Sequence, residues 1–193
     1  MLVSDFFVNY KKELMDTLDA LDKDCIAKIY EELNRAYQNE NQIFLMGNGG
    51  SASAASHWLC DFAKGINTAD SKRIRIFCLT DHNSMITAIG NDISYEDIFV
   101  EQLKNYLRPE DLVISFSVSG NSMNLINAHL YSQQNNVKTI SIIGGFEGHI
   151  ISHSDISLVI PSKNYGIVED IHIVLGHVIS QYMYKLNTEN LRG

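Results

Sequence analysis

The chain has 193 residues, a formal charge of −8, and 45% hydrophobic against 20% charged residues. That length holds one domain with a full core, and that balance excludes a disordered or fibrous chain. Its lysines and arginines form no dense basic run, so a nucleic-acid backbone is repelled and nucleic acid is excluded as an expected partner.

The first residues become acidic and amphipathic within a few positions and lack an apolar stretch followed by a small-residue cleavage site, unlike a signal peptide. From Ser4 to Asp22 the residues Phe6, Phe7, Tyr10, Leu14, Leu18 and Leu21 recur at three- and four-residue spacing, and Cys25 to Tyr37 repeats the pattern. Two opening helices are predicted. The apolar run Gln42–Met46 reads as a strand, Gly47–Gly50 as a tight turn, and Ser51 as the cap of a helix reaching about Lys64. Ile74–Leu79 predicts a second strand, with helices near Ser84–Ile89 and Tyr95–Tyr106 and a boundary at Pro109.

Leu112–Phe116 is a third strand, Ser117–Ser122 a polar turn and Asn124–Gln134 a helix. Lys138–Ile143 and Ile156–Ile160 complete five strands. The stripe Ile171, Val174, Leu175, Val178, Ile179, Tyr182 and Leu186 predicts a buried terminal helix over about Val168–Leu186. Strands alternating with helices of this length require right-handed crossovers, so an α/β fold is expected, with a doubly wound five-stranded parallel sheet and helices on both faces. No stretch reaches membrane-spanning length. No membrane partner and a cytoplasmic location are expected. Cys25, Cys60 and Cys78 have no CxxC spacing and read as reduced core thiols.

Ligands of open parallel sheets bind at loops leaving the carboxyl ends of strands. Ser117-Val-Ser-Gly-Asn-Ser122 offers hydroxyls, a glycine turn and free amides at a helix start, all suited to a phosphate dianion. A single serine there would be a helix cap; this density favours phosphate. Gly47-Asn-Gly-Gly-Ser51 lets a ligand approach the backbone but has neither a P-loop lysine nor GxGxxG spacing, which argues against a nucleotide.

His57 and Asp61, four apart, share a helix face, and Glu169 and His177 lie slightly more than two turns apart on the terminal helix with His172 between. Two imidazoles and two carboxylates suit either a zinc-like cation or metal-free proton transfer. An isolated His-x-x-x-Asp pair is more often an ion pair. His82, His129, His149 and His153 read as surface or loop residues, and Trp58 as a core anchor.

Four segments taken together, Gly47–His57, Ala88-Ile-Gly-Asn-Asp92, Ser117–Ser122 and Glu169–His177, resemble the SIS-domain phosphoheptose isomerases in order and separation over nearly the whole chain. The resemblance implies one SIS domain over residues 1–193, flavodoxin-like, in a homotetramer packed partly through helices at about 4–39. It implies an aldose-ketose isomerase interconverting sedoheptulose 7-phosphate and D-glycero-D-manno-heptose 7-phosphate, in the route to lipopolysaccharide or capsule heptose. Substrate contacts would be Asn48, Gly49, Gly50, Ser51, Asn91, Asp92, Ser117, Val118, Ser119, Ser122 and Glu169. Zn2+ or another divalent cation would bind His57, Asp61, Glu169 and His177, with Asp61 and His177 as acid/base groups.

The family usually carries glutamate at Asp61, glutamine at Glu169 and threonine at Val118, and an arginine slightly after Lys64-Gly65. Aspartate retracts the carboxylate by one methylene, and Glu169 adds charge that attracts a cation and repels a phosphate. These departures mark a subgroup. Its alternatives are an isomerase of another sugar phosphate, or a non-catalytic SIS protein that binds sugar phosphates in a regulatory role.

Overall fold

A computed structural model of the protein describes residues 2–69 and 71–189. Residues 1, 70 and 190–193 of the expected 1–193 domain lie outside the described residues. In chain order the elements are α1 (Val3–Asp19), α2 (Lys23–Gln38), β1 (Gln42–Gly47), α3 (Gly50–Cys60), β2 (Arg75–Cys78) and α4 (Asn83–Asp92). They continue with α5 (Val100–Tyr106), β3 (Leu112–Ser117), α6 (Met123–Gln134), β4 (Lys138–Gly144), β5 (Ile156–Ile160) and α7 (Tyr165–Glu189).

The five strands pair in parallel in the order β2-β1-β3-β4-β5, the expected doubly wound arrangement. Successive side chains of a strand point to opposite faces, so strands that are apolar throughout need cover on both. Ile43 and Leu45 of β1 join Ile114 and Phe116 of β3 in the core under α2, α3 and α7. Phe44 and Met46 face the other way, with Val113, into a core closed by α4, α5 and α6.

Several local expectations change. The predicted helix over Tyr95–Tyr106 divides into a 3₁₀ turn at Tyr95–Asp97 and α5, and α3 widens into a π turn at Asp61–Gly65. Ser51 does not cap α3: Gly49, at φ 56°, holds that place, and Ser51 is buried in the first turn. The terminal helix is buried on one face, with Val178, Tyr182 and Tyr184 exposed. Cys25 and Cys78 are buried thiols, but Cys60 is exposed because it falls on the outer side of α3.

Helix α7 is placed by contacts at both of its neighbours. Tyr10 of α1 donates its phenol proton to Asp170 Oδ2 at 2.6 Å. Burial and that bond push the Tyr10 pKa up to about 12. Against α3, α7 comes so close at Gly176 that an added Cβ would lie 2.5 Å from Trp58 Nε1. Trp58, fully buried as expected, donates from Nε1 to the His172 carbonyl at 2.7 Å. A side chain at 176 would force these helices apart.

Candidate active site

The close crossing of α3 and α7 sets the first part of the site. Trp58 and Gly176 face inward, so their neighbours His57 and His177 emerge side by side, with Nε2 atoms 2.8 Å apart. One helical turn beyond His57, at the start of the π turn, Asp61 brings Oδ2 to 3.4 Å from His57 Nε2 and 3.5 Å from His177 Nε2. That oxygen is buried and accepts no hydrogen bond among the described residues.

A charged oxygen left without a donor is costly unless a cation or proton satisfies it. The three atoms form a triangle with edges of 2.8, 3.4 and 3.5 Å. Tetrahedral ligands about 2.0–2.1 Å from a zinc-like ion are separated by roughly 3.4 Å, so the donor set fits a cation with one position left open. Among the described residues, His57, Asp61 and His177 form the group whose donor atoms all lie within 4.8 Å of one another.

Glu169, the expected fourth ligand, lies outside that group. Eight residues of helix advance about 12 Å and turn roughly 80° past two full turns, which separates it from His177. Its carboxylate packs instead over Gly50, where an added Cβ would overlap it. Gly50→Ala is expected to displace Glu169 at a cost of about 1–3 kcal/mol. Urea unfolding should show that cost largely relieved when Glu169→Ala is added; equal destabilisation in both backgrounds would refute the contact.

Glu169 belongs to a second feature, a pocket of about 350 Å³ lined by Asn48–Ser51, Phe116–Ser119, Ser122, Tyr165 and Glu169. It opens between the carboxyl ends of β1 and β3, the switch point where the chain winds to either side of β1. Every residue expected to bind substrate lines it except Asn91 and Asp92, which are exposed at the end of α4 and bonded to each other.

The serine loop is shaped by its own amides. Gly120 N–H donates to Ser117 Oγ at 3.0 Å and Asn121 N–H to Ser119 Oγ at 3.2 Å. Ser122 occupies the N-cap of α6, yet its hydroxyl makes no capping bond. That distinguishes it from an ordinary cap and leaves the first amides of α6 open to an anion. Loop 148–150 braces the turn, with Ile150 N–H on the Gly120 carbonyl at 3.0 Å and His149 N–H on Asn121 Oδ1 at 2.9 Å. Val118 buries its side chain in the core and offers its carbonyl to Gly144 N–H at 3.0 Å.

Sequence reasoning missed Tyr165 and Phe116 in the pocket wall. Phe116 ends a strand whose apolar side chains all read as core, and Tyr165 carried no motif. Tyr165 packs edge-on against Phe146, with ring centroids 6.0 Å apart.

A doubly wound α/β protein with a serine-lined pocket at its switch point is the class that this fold and site define. The SIS domain profile matches residues 6–144. The phosphoheptose isomerase of Sulfurimonas denitrificans is 32% identical over 177 residues, covering 91% of this chain and 86% of that protein. That of Helicobacter pylori strain P12 is 30% identical over 178 residues, 92% of each. The structure of a phosphoheptose isomerase from Francisella tularensis shares the fold with a TM-score of 0.86 at 24% identity, over 96% of this chain and 100% of that one. The chain belongs to the SIS domain family.

Proposed function

We propose that this chain is a phosphoheptose isomerase, interconverting sedoheptulose 7-phosphate and D-glycero-D-manno-heptose 7-phosphate. The observation that carries the reading is the pairing of two features on α3 and α7: the serine-lined pocket at their N-terminal ends, and the His57–Asp61–His177 group farther along. From Gly50 to His57 the helix advances about 10 Å. An extended seven-carbon chain spans roughly 8 Å at about 1.5 Å per bond, so a heptose held by its phosphate extends toward the ionisable group.

Ser117, Ser119 and Ser122 hold the phosphate with the first amides of α6. Asp61 and His177 then move a proton between the two carbons at the far end of the open-chain sugar. One removes the proton alpha to the carbonyl, an enediolate forms, and the other returns a proton to the neighbouring carbon. Without a cation, His57, beside both, orients His177 through the 2.8 Å contact. A divalent cation held by His57, Asp61 and His177, zinc by the chemistry of this donor set, would supply Lewis-acid polarisation of the substrate oxygens. Glu169, at the pocket end, keeps the role of a substrate-facing carboxylate.

A homotetramer packed partly through α1 and α2 suits the outer face of α1, where Val3 is 85% and Phe7 65% exposed. No helix among the described residues is long and apolar enough to cross a membrane. The cytoplasm is the compartment that this metabolism implies. Incubation with sedoheptulose 7-phosphate in deuterated solvent should place deuterium at C1 of the ketose and C2 of the aldose, read by NMR. Absence of exchange with heptose, hexose and pentose phosphates alike would refute the enzyme reading in favour of a binding protein.

A further inference from the structure

We infer that Asn124 and Tyr95 are positioning residues that lock the Asn48 side chain so that it presents a single N–H donor, and no acceptor, to the sugar phosphate. The inference rests on the reading of the pocket as the sugar-phosphate site.

Asn48 leaves the end of β1 and lines the pocket. Asn124 sits in the first turn of α6, only 2% exposed, between the loop and the core residues Leu125 and Ile126. An asparagine so near a helix start ordinarily turns back to bond its own backbone. This one reaches across 76 residues of sequence instead. Its Nδ2 donates to Asn48 Oδ1 at 3.1 Å, and its Oδ1 accepts from Asn48 Nδ2 at 3.0 Å. Tyr95 O–H, arriving from the turn after α4, donates to the same Asn48 Oδ1 at 3.0 Å.

A primary amide has two N–H donors and two oxygen lone pairs. Both lone pairs of Asn48 and one of its N–H groups are consumed by these three bonds, which leaves one N–H. Rotating the amide about its last torsion would break all three and strand the buried Asn124 amide, whose desolvation is then uncompensated. The Asn48 donor is therefore held in place before ligand arrives, and the binding step does not have to order it. An acceptor oxygen of phosphate, hydroxyl or carbonyl matches it. A group that can only donate does not.

The test is a coupling cycle on Asn124→Leu, Tyr95→Phe and Asn48→Ala, read as the Kd of sedoheptulose 7-phosphate by calorimetry and as KM and kcat separately. Asn124→Leu should weaken binding about five- to tenfold and Tyr95→Phe about two- to fivefold. In the Asn48→Ala background neither should weaken it further, because both act through that amide. Additive losses, or wild-type affinity in a folded Asn124→Leu protein, overturn the inference. Should Asn124→Leu fail to fold, the exposed Tyr95→Phe carries the same cycle with Asn48→Ala. Calorimetry needs no turnover, so coupled binding without isomerisation would keep this inference and reject the isomerase reading. Turnover with additive variants would do the reverse, and a wild-type chain that binds no sugar phosphate would overturn both.

Discussion

Asp61→Asn and His177→Gln should each lower kcat for heptose isomerisation by about 100- to 10,000-fold, the range that a positioned acid or base contributes. Asparagine keeps the shape of Asp61 and removes its ability to take a proton. The effect is expected to be large because Asp61 Oδ2 is buried, accepts no hydrogen bond among the described residues, and is the carboxylate oxygen of the group, 3.4 and 3.5 Å from the two imidazoles. KM should change little in these variants, since the serine loop proposed to hold the phosphate is untouched. Ser122→Ala should show the converse, a several-fold rise in KM with a smaller change in kcat. Steady-state rates with sedoheptulose 7-phosphate separate the two patterns. Near-wild-type kcat in Asp61→Asn would remove Asp61 from the chemistry. Metal content of wild type and of His57→Ala, measured by mass spectrometry after dialysis, reads the donor set independently of activity.

How much of this was legible in the sequence follows from how local each determinant is. The parallel sheet was legible because each strand is a short run of apolar residues closed by a polar or glycine turn, a pattern set within six to eight residues. The serine loop and the His57–Asp61 pair were legible for the same reason: their partners lie within one turn of each other. Gly176 was not. Its importance comes from Trp58, more than a hundred residues away, and only the packed helices bring the two together. The same holds for Asn124, which reads as an ordinary residue at a helix start until Asn48 is seen opposite it. Glu169 was expected beside His177 because eight residues approximate two turns; the residual rotation sends its carboxylate to Gly50 instead. The two departures expected to adjust one metal site thus fall in different places: Asp61 within the histidine group, and Glu169 in the pocket.

The largest stability effect is expected from two histidines that carried no signal of burial. His129 was expected at the surface or in a loop, and His172 stood between two candidate ligands; both are 0% exposed. His129 commits its Nδ1 proton to the His153 carbonyl at 3.0 Å, with Ser154 Oγ at 2.9 Å, and its Nε2 has no partner among the described residues. His172 donates from Nε2 to the Ile142 carbonyl at 3.1 Å, and its Nδ1 likewise has no partner among the described residues. A second proton on either ring would place a charge in the core with no acceptor for its N–H among the described residues. Burial accordingly lowers both pKa values to about 4, against a smaller opposing pull from the carbonyl each ring bonds.

In the unfolded chain these rings titrate near 6.5. Between that pH and about 4 the unfolded state holds more protons than the folded one, so stability is full above the window and falls as pH drops through it. At pH 4 the loss is on the order of 3 kcal/mol for each histidine. Urea unfolding at pH 7, 5.5 and 4 should show this fall in the wild type. It should shrink by about half in His129→Gln or His172→Gln and by most of its size in the double variant, beyond what carboxylates contribute. An equal fall in wild type and double variant would mean that neither ring is held neutral by the fold. His172 also ties this chemistry to the site: its ring lies edge-on to Phe116, which lines the pocket, and its carbonyl holds Trp58 in the crossing that sets His57 beside His177. The helix that carries His177 is thus held in register partly by a residue that must stay uncharged, and acid should separate His57 from His177 by unfolding the core beneath them.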